Sequence, residues 1–244
     1  MADNLMDSQT PPLKQISPLP EHVAVIMDGN GRWAEKKGLP RMGGHRAGIE
    51  STRITVRHLG QYGIKYLTLY SFSTENWKRP EKEIIGLLKL LEESLKKEVP
   101  ELNENNVRLN HIGRLDRLPP GLRKTISEAI ELTSSNSGMV LSLAFDYGGR
   151  SEILNAVRNI IKEGVQPSKI DEGLLTKHLY TAQLPDVDLV IRTSGEYRIS
   201  NFLLWQSAYS EFYFTDVLWP DFSYAEIEKA LTAYSQRKRR FGSL

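Results

Sequence analysis

The chain has 244 residues and no cysteine, which excludes a disulfide framework, a thiolate zinc site and a cysteine nucleophile together. It also lacks an uninterrupted apolar run of the roughly 18 residues that a membrane helix needs. The richest stretch, Phe202 to Trp219, is broken by Gln206, Glu211 and Asp216. Net charge is nearly absent too: 32 Lys and Arg stand against 30 Asp and Glu, a balance of +2. That is too even for a protein that wraps nucleic acid by bulk charge. Neither a Walker A sequence nor GxGxxG occurs, so nucleotide binding has no support. Residues 1–15 carry Asp3 and Asp7 and no sustained apolar segment, unlike an export signal. These absences predict a soluble, cytoplasmic protein.

What is present fits a globular fold. Hydrophobic residues make up 40% of the chain and charged residues 25%, ordinary values for a globular core. Pro11, Pro12, Pro18 and Pro20 mark residues 1–20 as a flexible leader, leaving 21–244 as one domain. Short β-branched runs predict strands at Val23–Met27, Tyr66–Phe72, Val107–Ile112, Met139–Phe145, Leu189–Arg192 and Glu211–Phe214. Helical patterns fall between them at Gly48–Gln61, Glu81–Val99, Leu122–Leu132, Ser151–Lys162 and Asp171–His178, with a last helix at Tyr224–Arg237. The alternation implies an α/β fold of about six mostly parallel strands flanked by helices. The helix at 81–99, set between Pro80 and Pro100, is apolar over more of its circumference than one core-facing stripe requires. Burial on two sides, or one face lining a cavity for an apolar ligand, would each explain it.

Ligands of parallel α/β sheets bind beyond the carboxyl ends of the strands. The residues there are Asp28 to Trp33, then Arg41 and His45; Ser73, Glu75, Asn76, Trp77 and Arg79; and Arg192, Glu196, Arg198, Ser200 and Asn201. Five arginines and a histidine suit phosphate oxygens in forked contact. Asp28 and Glu211 are the two acids free for a metal, and Mg2+ is held by one or two carboxylates plus substrate phosphates. Together these point to a diphosphate ester bound partly through Mg2+.

Five segments carry a resemblance: HVAVIMDGNGRWA (22–34), GHRAG (44–48), LTLYSFSTENWKRP (67–80), DLVIRTSGEYRISNFLLWQ (188–206) and YSEFYFTDVLWPDF (209–222). The chain resembles the cis-prenyltransferase family, in particular its bacterial undecaprenyl diphosphate synthase (isoprenyl transferase) branch, from about residue 20 onward. The resemblance implies a homodimeric, Mg2+-dependent enzyme that condenses isopentenyl diphosphate repeatedly, in cis, onto an allylic diphosphate such as farnesyl diphosphate. A long polyprenyl diphosphate, undecaprenyl in length, would serve as precursor of the cell-wall lipid carrier, with peripheral membrane contact for its release. It also implies a hydrophobic tunnel between sheet and helices, walled by the helix at 81–99, with Met139 or Leu141 as floor.

Carried over by position, Asp28 holds Mg2+ and assists departure of the allylic diphosphate. Gly29, Asn30, Gly31 and Arg32 cradle that diphosphate, with Arg41 and His45. Ser73, Thr74, Glu75, Asn76, Trp77 and Arg79 sit by the reacting carbons, while Trp33, Trp77 and Phe72 shield them from water. Arg192, Arg198, Ile199 and Ser200 hold isopentenyl diphosphate, and Glu211 supplies a second carboxylate at the metal. Asn76, a neutral amide and so a poor base, is read as a positioner; a diphosphate oxygen or Asp28 takes the proton. Arg240, Phe241 and Gly242 match an RxG element that reaches a partner subunit's site. Three positions depart from the family pattern: Ser194 replaces glycine in RTGGE, Tyr197 replaces a basic residue or histidine, and Asp146 stands where asparagine is usual. Rival readings are a phosphohydrolase using Asp28 as nucleophile, a nucleic-acid- or protein-binding module built on the basic run 237–240, and a non-catalytic subunit of the same family.

Overall fold

His22–Ile26, five consecutive buried residues, form the first strand, β1, of a computed structural model that describes residues 12–237. The first part of the leader, the RxG element and all but Arg237 of the basic run lie outside the described residues. Along β1, period-2 alternation sends Val23 and Val25 to one apolar cluster and Ala24 and Ile26 to another, as in a strand covered on both faces. Five strands join it: β2 (Tyr66–Ser73), β3 (Arg108–Ile112), β4 (Val140–Tyr147), β5 (Leu189–Arg192) and β6 (Glu211–Phe214). All pairings are parallel, in the order β3-β4-β2-β1-β5-β6.

Parallel neighbours need crossovers. These are α1 (Asn30–Lys36) and α2 (Arg41–Gln61) after β1, α3 (Glu81–Glu104) after β2 and α4 (Pro120–Leu132) after β3. After β4 come α5 (Gly149–Lys162) and α6 (Glu172–His178), and α7 (Tyr224–Ser235) follows β6. The β5–β6 connection contains no helix. The larger core lies between the sheet and α2, α3, α4 and α7, where Leu59, Leu95, Leu122 and Leu231 meet Leu69 and Leu141. Each such side chain, buried in full, is worth about 1.5–3 kcal/mol. The smaller core gathers Tyr147, Val190, Phe202 and Leu203 on the other face.

Three local expectations change. No helix is expected before Gly48, yet only Gly29, at φ +108°, is irregular and α1 begins at Asn30. Likewise α2 begins at Arg41, seven residues before Gly48, and carries Gly43, Gly44 and Gly48 inside it. Gly44 is there for contact: a Cβ at that position would lie 1.9 Å from the Asn30 carbonyl oxygen, so α1 and α2 pack backbone to backbone. The helix expected to stop at Pro100 continues to Glu104. Pro100 removes the N–H that would bond the Lys96 carbonyl, and packing of Val99 and Leu102 against the main core holds the last turn. Among the described residues, no helix is long and apolar enough to cross a membrane.

The chain runs from β1 outward to β2, β3 and β4, then returns to place β5 on β1's other side. The order of strands therefore reverses between β1 and β5, and such a switch point is where open α/β sheets bind ligands. Asp28 and Arg192 stand there.

Candidate active site

Thr193, directly after β5, locks the two strand ends together: its Oγ1 donates to the Asp28 carbonyl (2.6 Å) and accepts from the Asp28 N–H (3.0 Å). Asp28 Oδ1 accepts the Gly29 N–H at 2.8 Å, and Oδ2 accepts from Arg192 Nη2 at 2.8 Å. The Asp28 side chain keeps 33% exposure, whereas that of Arg192 keeps 4%. Arg192 also donates to the Arg198 carbonyl and to Ser200 Oγ (2.7 Å). Its Nε, however, is buried and has no partner; Asn30 Oδ1 and His45 Nε2 are in the same state. All three residues line one cavity. A buried polar atom without a partner costs about 1–3 kcal/mol, so this site is built to receive a polar ligand.

A second cationic group flanks the first. Glu83 lies 2.9 Å from Arg79 Nη1 and 3.9 Å from Arg41 Nε, with His45 close by. Burial, then the Arg79 and Arg41 charges, outweigh Glu83 and lower the His45 pKa to about 4. The imidazole is therefore neutral at pH 7, able to donate from one nitrogen and accept at the other. Arg41 packs on the first turn of α1, where a Cβ on Gly31 would come 2.9 Å from its Nη2. Arg32 reaches Ser194 Oγ, Glu196 (3.3 Å) and Asp28 (3.7 Å), and Arg198 also pairs with Glu196. Ser194 sits at φ +79°, a conformation unfavourable for an L-residue; this accounts for glycine as the usual residue there, and the hydroxyl gained here holds Arg32. Ser200, Asn201 and Leu203 also have positive φ, a concentration of strain typical of ligand-binding loops. The third departure, Tyr197, is exposed, its ring 5.3 Å from that of Phe214.

Beyond β2 a 3₁₀ turn, Thr74–Lys78, carries the next group. The Ser73 N–H donates to Asn76 Oδ1 at 3.0 Å, which commits the Asn76 oxygen to the backbone and leaves its NH2 as the group it can offer. Thr74 Oγ1 donates to Glu75 (3.1 Å), and Glu75 receives Asn201 Nδ2 (2.9 Å), joining the loops after β2 and β5. Phe72 lines the cavity, while Trp77 packs edge-on behind it with ring centroids 5.3 Å apart.

The cavity, about 950 Å3, begins at Asp28, Asn76 and Arg192 and runs between the sheet and helices α2 and α3. Leu87, Leu90, Leu91 and Leu95 of α3 face it; Ile85, counted in the same apolar pattern, is exposed instead. Met139 and Leu141 line the far wall, and the lining continues past them to Lys65, Arg108 and Asn136 at the opposite edge of the sheet.

Three expected residues are elsewhere. Glu211 opens β6 and lies level with Leu189 and Val23, so about five residues of strand, roughly 16 Å, separate its level from that of Asp28. It pairs with Arg237 at 2.7 Å, and one chain does not form an Asp28–Glu211 metal pair. The error came from treating the first residue of a strand as though it shared an edge with residues that follow strands. Trp33 lies outside the cavity wall: its indole N–H donates to Asp221 at 2.8 Å and Lys37 covers its ring. Ile199 packs against the smaller core rather than the cavity. Sequence reasoning assigned no role to Thr193, Glu83 or Glu196. Glu83 had a signal, its i,i+4 spacing from Arg79.

A family model described as "Putative undecaprenyl diphosphate synthase" matches residues 26–242. The isoprenyl transferase of Clostridium perfringens is 51% identical over 231 residues, 93% of this chain and 91% of that protein. That of Neisseria gonorrhoeae is 49% identical, covering 97% and 95%. Among solved structures, lavandulyl diphosphate synthase from Lavandula x intermedia, in complex with dimethylallyl diphosphate, superposes with a TM-score of 0.89 at 39% identity, over 92% of this chain and 99% of that one. A probable undecaprenyl diphosphate synthase from Campylobacter jejuni gives 0.78 at 33%, over 95% and 100%. With a buried arginine and an aspartate at the switch point and an apolar cavity behind them, the chain belongs to the undecaprenyl diphosphate synthase family and is a cis-prenyltransferase.

Proposed function

We propose that the protein condenses isopentenyl diphosphate repeatedly, in cis, onto an allylic diphosphate, farnesyl diphosphate in the first instance, to give a long polyprenyl diphosphate of undecaprenyl length for the cell-wall lipid carrier. The observation that carries this reading is the Asp28–Arg192 pair at the mouth of a cavity that is polar at its entrance and apolar along α3. The allylic diphosphate sits at the first turn of α1, with Arg32, Arg41 and His45. Isopentenyl diphosphate sits between Arg192, Arg198 and Ser200, where the unpartnered Arg192 Nε meets an oxygen.

Asp28 fits Mg2+. Its carboxylate is partly exposed at the mouth, and each oxygen retains a lone pair beyond the bond it accepts. Among the described residues there is no group of three or more His, Cys, Asp or Glu able to hold a metal, which suits an ion whose remaining ligands are diphosphate and water. When bound, Mg2+ supplies charge stabilisation to the leaving diphosphate. In the reaction the allylic C–O bond breaks and its electron pair leaves with diphosphate. The isopentenyl double bond supplies the pair for the new C–C bond, and the adjacent carbon loses a proton to form the new double bond. Fixed guanidinium groups stabilise the departing charge without reorganising, and Phe72, backed by Trp77, keeps water from the cationic carbon. Asn76 is a neutral amide and a poor base, so the proton goes to a diphosphate oxygen or to Asp28.

The lengthening hydrocarbon enters the space lined by Leu87, Leu91 and Leu95, gaining about 25 cal/mol for each Å2 of apolar surface buried. Met139 or Leu141 limits its length. The enzyme works in the cytoplasm as a homodimer and touches the bilayer only to release product. Leu154, Val157 and Ile161, exposed on one face of α5, suit burial against a second copy. Incubation with farnesyl diphosphate, labelled isopentenyl diphosphate and Mg2+ should yield an extractable lipid ladder that chelation by EDTA abolishes. Release of inorganic phosphate from simple esters, with no lipid formed, would favour the phosphohydrolase instead.

A further inference from the structure

Asp146 is a carboxylate with no solvent exposure at the end of β4, and prenyl transfer does not use it. Its backbone is left-handed, at φ +50°, a conformation that Asp tolerates better than most residues. Oδ1 accepts the Trp77 indole N–H at 2.8 Å. The Arg117 guanidinium closes on both oxygens, Nε to Oδ2 at 2.8 Å and Nη2 to Oδ1, and lies over the Trp77 ring with its carbon 5.1 Å from the centroid. Asp146 and Arg117 thus grip one indole at its N–H and over its face.

Trp77 follows Asn76 on the 3₁₀ turn, and its other edge packs on Phe72, which stacks on Phe145 at 4.9 Å. Ser73 and Asn76 brace that turn from within, while Trp77 is its tie to β4. A buried carboxylate persists only when paired and hydrogen-bonded, and an asparagine here could satisfy the indole but could not receive the guanidinium fork. We infer that Asp146 and Arg117 are positioning residues: they lock Trp77 and so hold Asn76 and Phe72 in register with the reacting carbons. The inference rests on the prenyl-transfer reading.

A displacement of about 1 Å at reacting groups costs on the order of 100-fold in rate. Asp146→Ala should therefore lower kcat about 100-fold, with each diphosphate's KM changed by less than about threefold. Trp77 emission, taken as the difference from a Trp77→Phe background, should shift to the red as the indole loses its acceptor. Asp146→Asn, which keeps an acceptor for the indole, should fall between wild type and Asp146→Ala in both readouts. If Asp146→Ala does not fold, Arg117→Gln replaces it: kcat should fall likewise, and Trp77 emission should shift as the ring loses its guanidinium cover. A folded variant whose kcat stays within about twofold of wild type, or whose kcat falls with Trp77 emission unchanged, overturns the inference. Wild-type protein without prenyl transfer would instead refute the functional reading, and the emission measurement would still decide whether Asp146 holds Trp77.

Discussion

Asp28 answers to three neighbours: the Gly29 amide, Arg192 and, more distantly, Arg32. These bonds fix the carboxylate at the cavity mouth. Asp28→Ala should leave the fold intact and lower turnover by at least about 10³-fold, measured as label incorporated into lipid; turnover close to normal would remove Asp28 from the chemistry. Most of this site was legible residue by residue, because polar groups that follow buried strands share an edge. Glu211 was misplaced by that same rule, since it begins its strand. Glu83 was overlooked, and Glu196 was placed at the strand ends without a role, because counter-ions of a cationic site have no fixed spacing in sequence. The partnerless atoms of Asn30, His45 and Arg192 could be seen only in three dimensions.

At the scale of elements, apolar runs located every strand to within two residues at each end, since strands covered on both faces are continuously apolar. Helices were harder to read. Glycine and proline signal breaks in local propensity, and packing overrode that signal twice: at Gly44, where a helix crosses another at backbone distance, and at Pro100, where the last turn of α3 is held by the core. Gly44→Ala should lower stability by about 1–3 kcal/mol through overpacking, visible as a lower denaturation midpoint, and should weaken activity by displacing α1. An unchanged midpoint would show that the α1–α2 crossing yields easily. The double apolar face of α3 left two readings open, and only the cavity shows which leucines line it. Met139→Ala enlarges the far wall and should shift the product ladder to longer chains; an unchanged ladder places the floor elsewhere, beside Leu141 or the polar residues beyond it.

Over the whole molecule, four of the five histidines share one condition. Burial lowers the pKa of His22, His45, His58 and His111, whereas half-buried His178 is raised by bonds to Leu174 and Glu163. Unfolded imidazoles take up protons near pH 6.5, while the four buried ones remain neutral below it, so the unfolded state binds more protons as pH falls. Stability that is complete above about pH 6.5 should decline toward the lowered values, about 4 for His45. The melting temperature should drop steadily from pH 7 to pH 5, and a flat or rising profile would contradict the assignment of neutral buried imidazoles. The sheet order has a larger consequence: its reversal between β1 and β5 sets the cationic mouth directly against the apolar space under α2 and α3. The most direct measurement of that arrangement uses a farnesyl diphosphate analogue with a photoreactive group at its hydrocarbon terminus, bound with Mg2+, irradiated and mapped by peptide mass. The account predicts crosslinks to α3 near Leu87–Leu95 and to the facing residues of β4, competed away by farnesyl diphosphate. Labelling confined to α5 or α6, on the far side of the sheet, would contradict it.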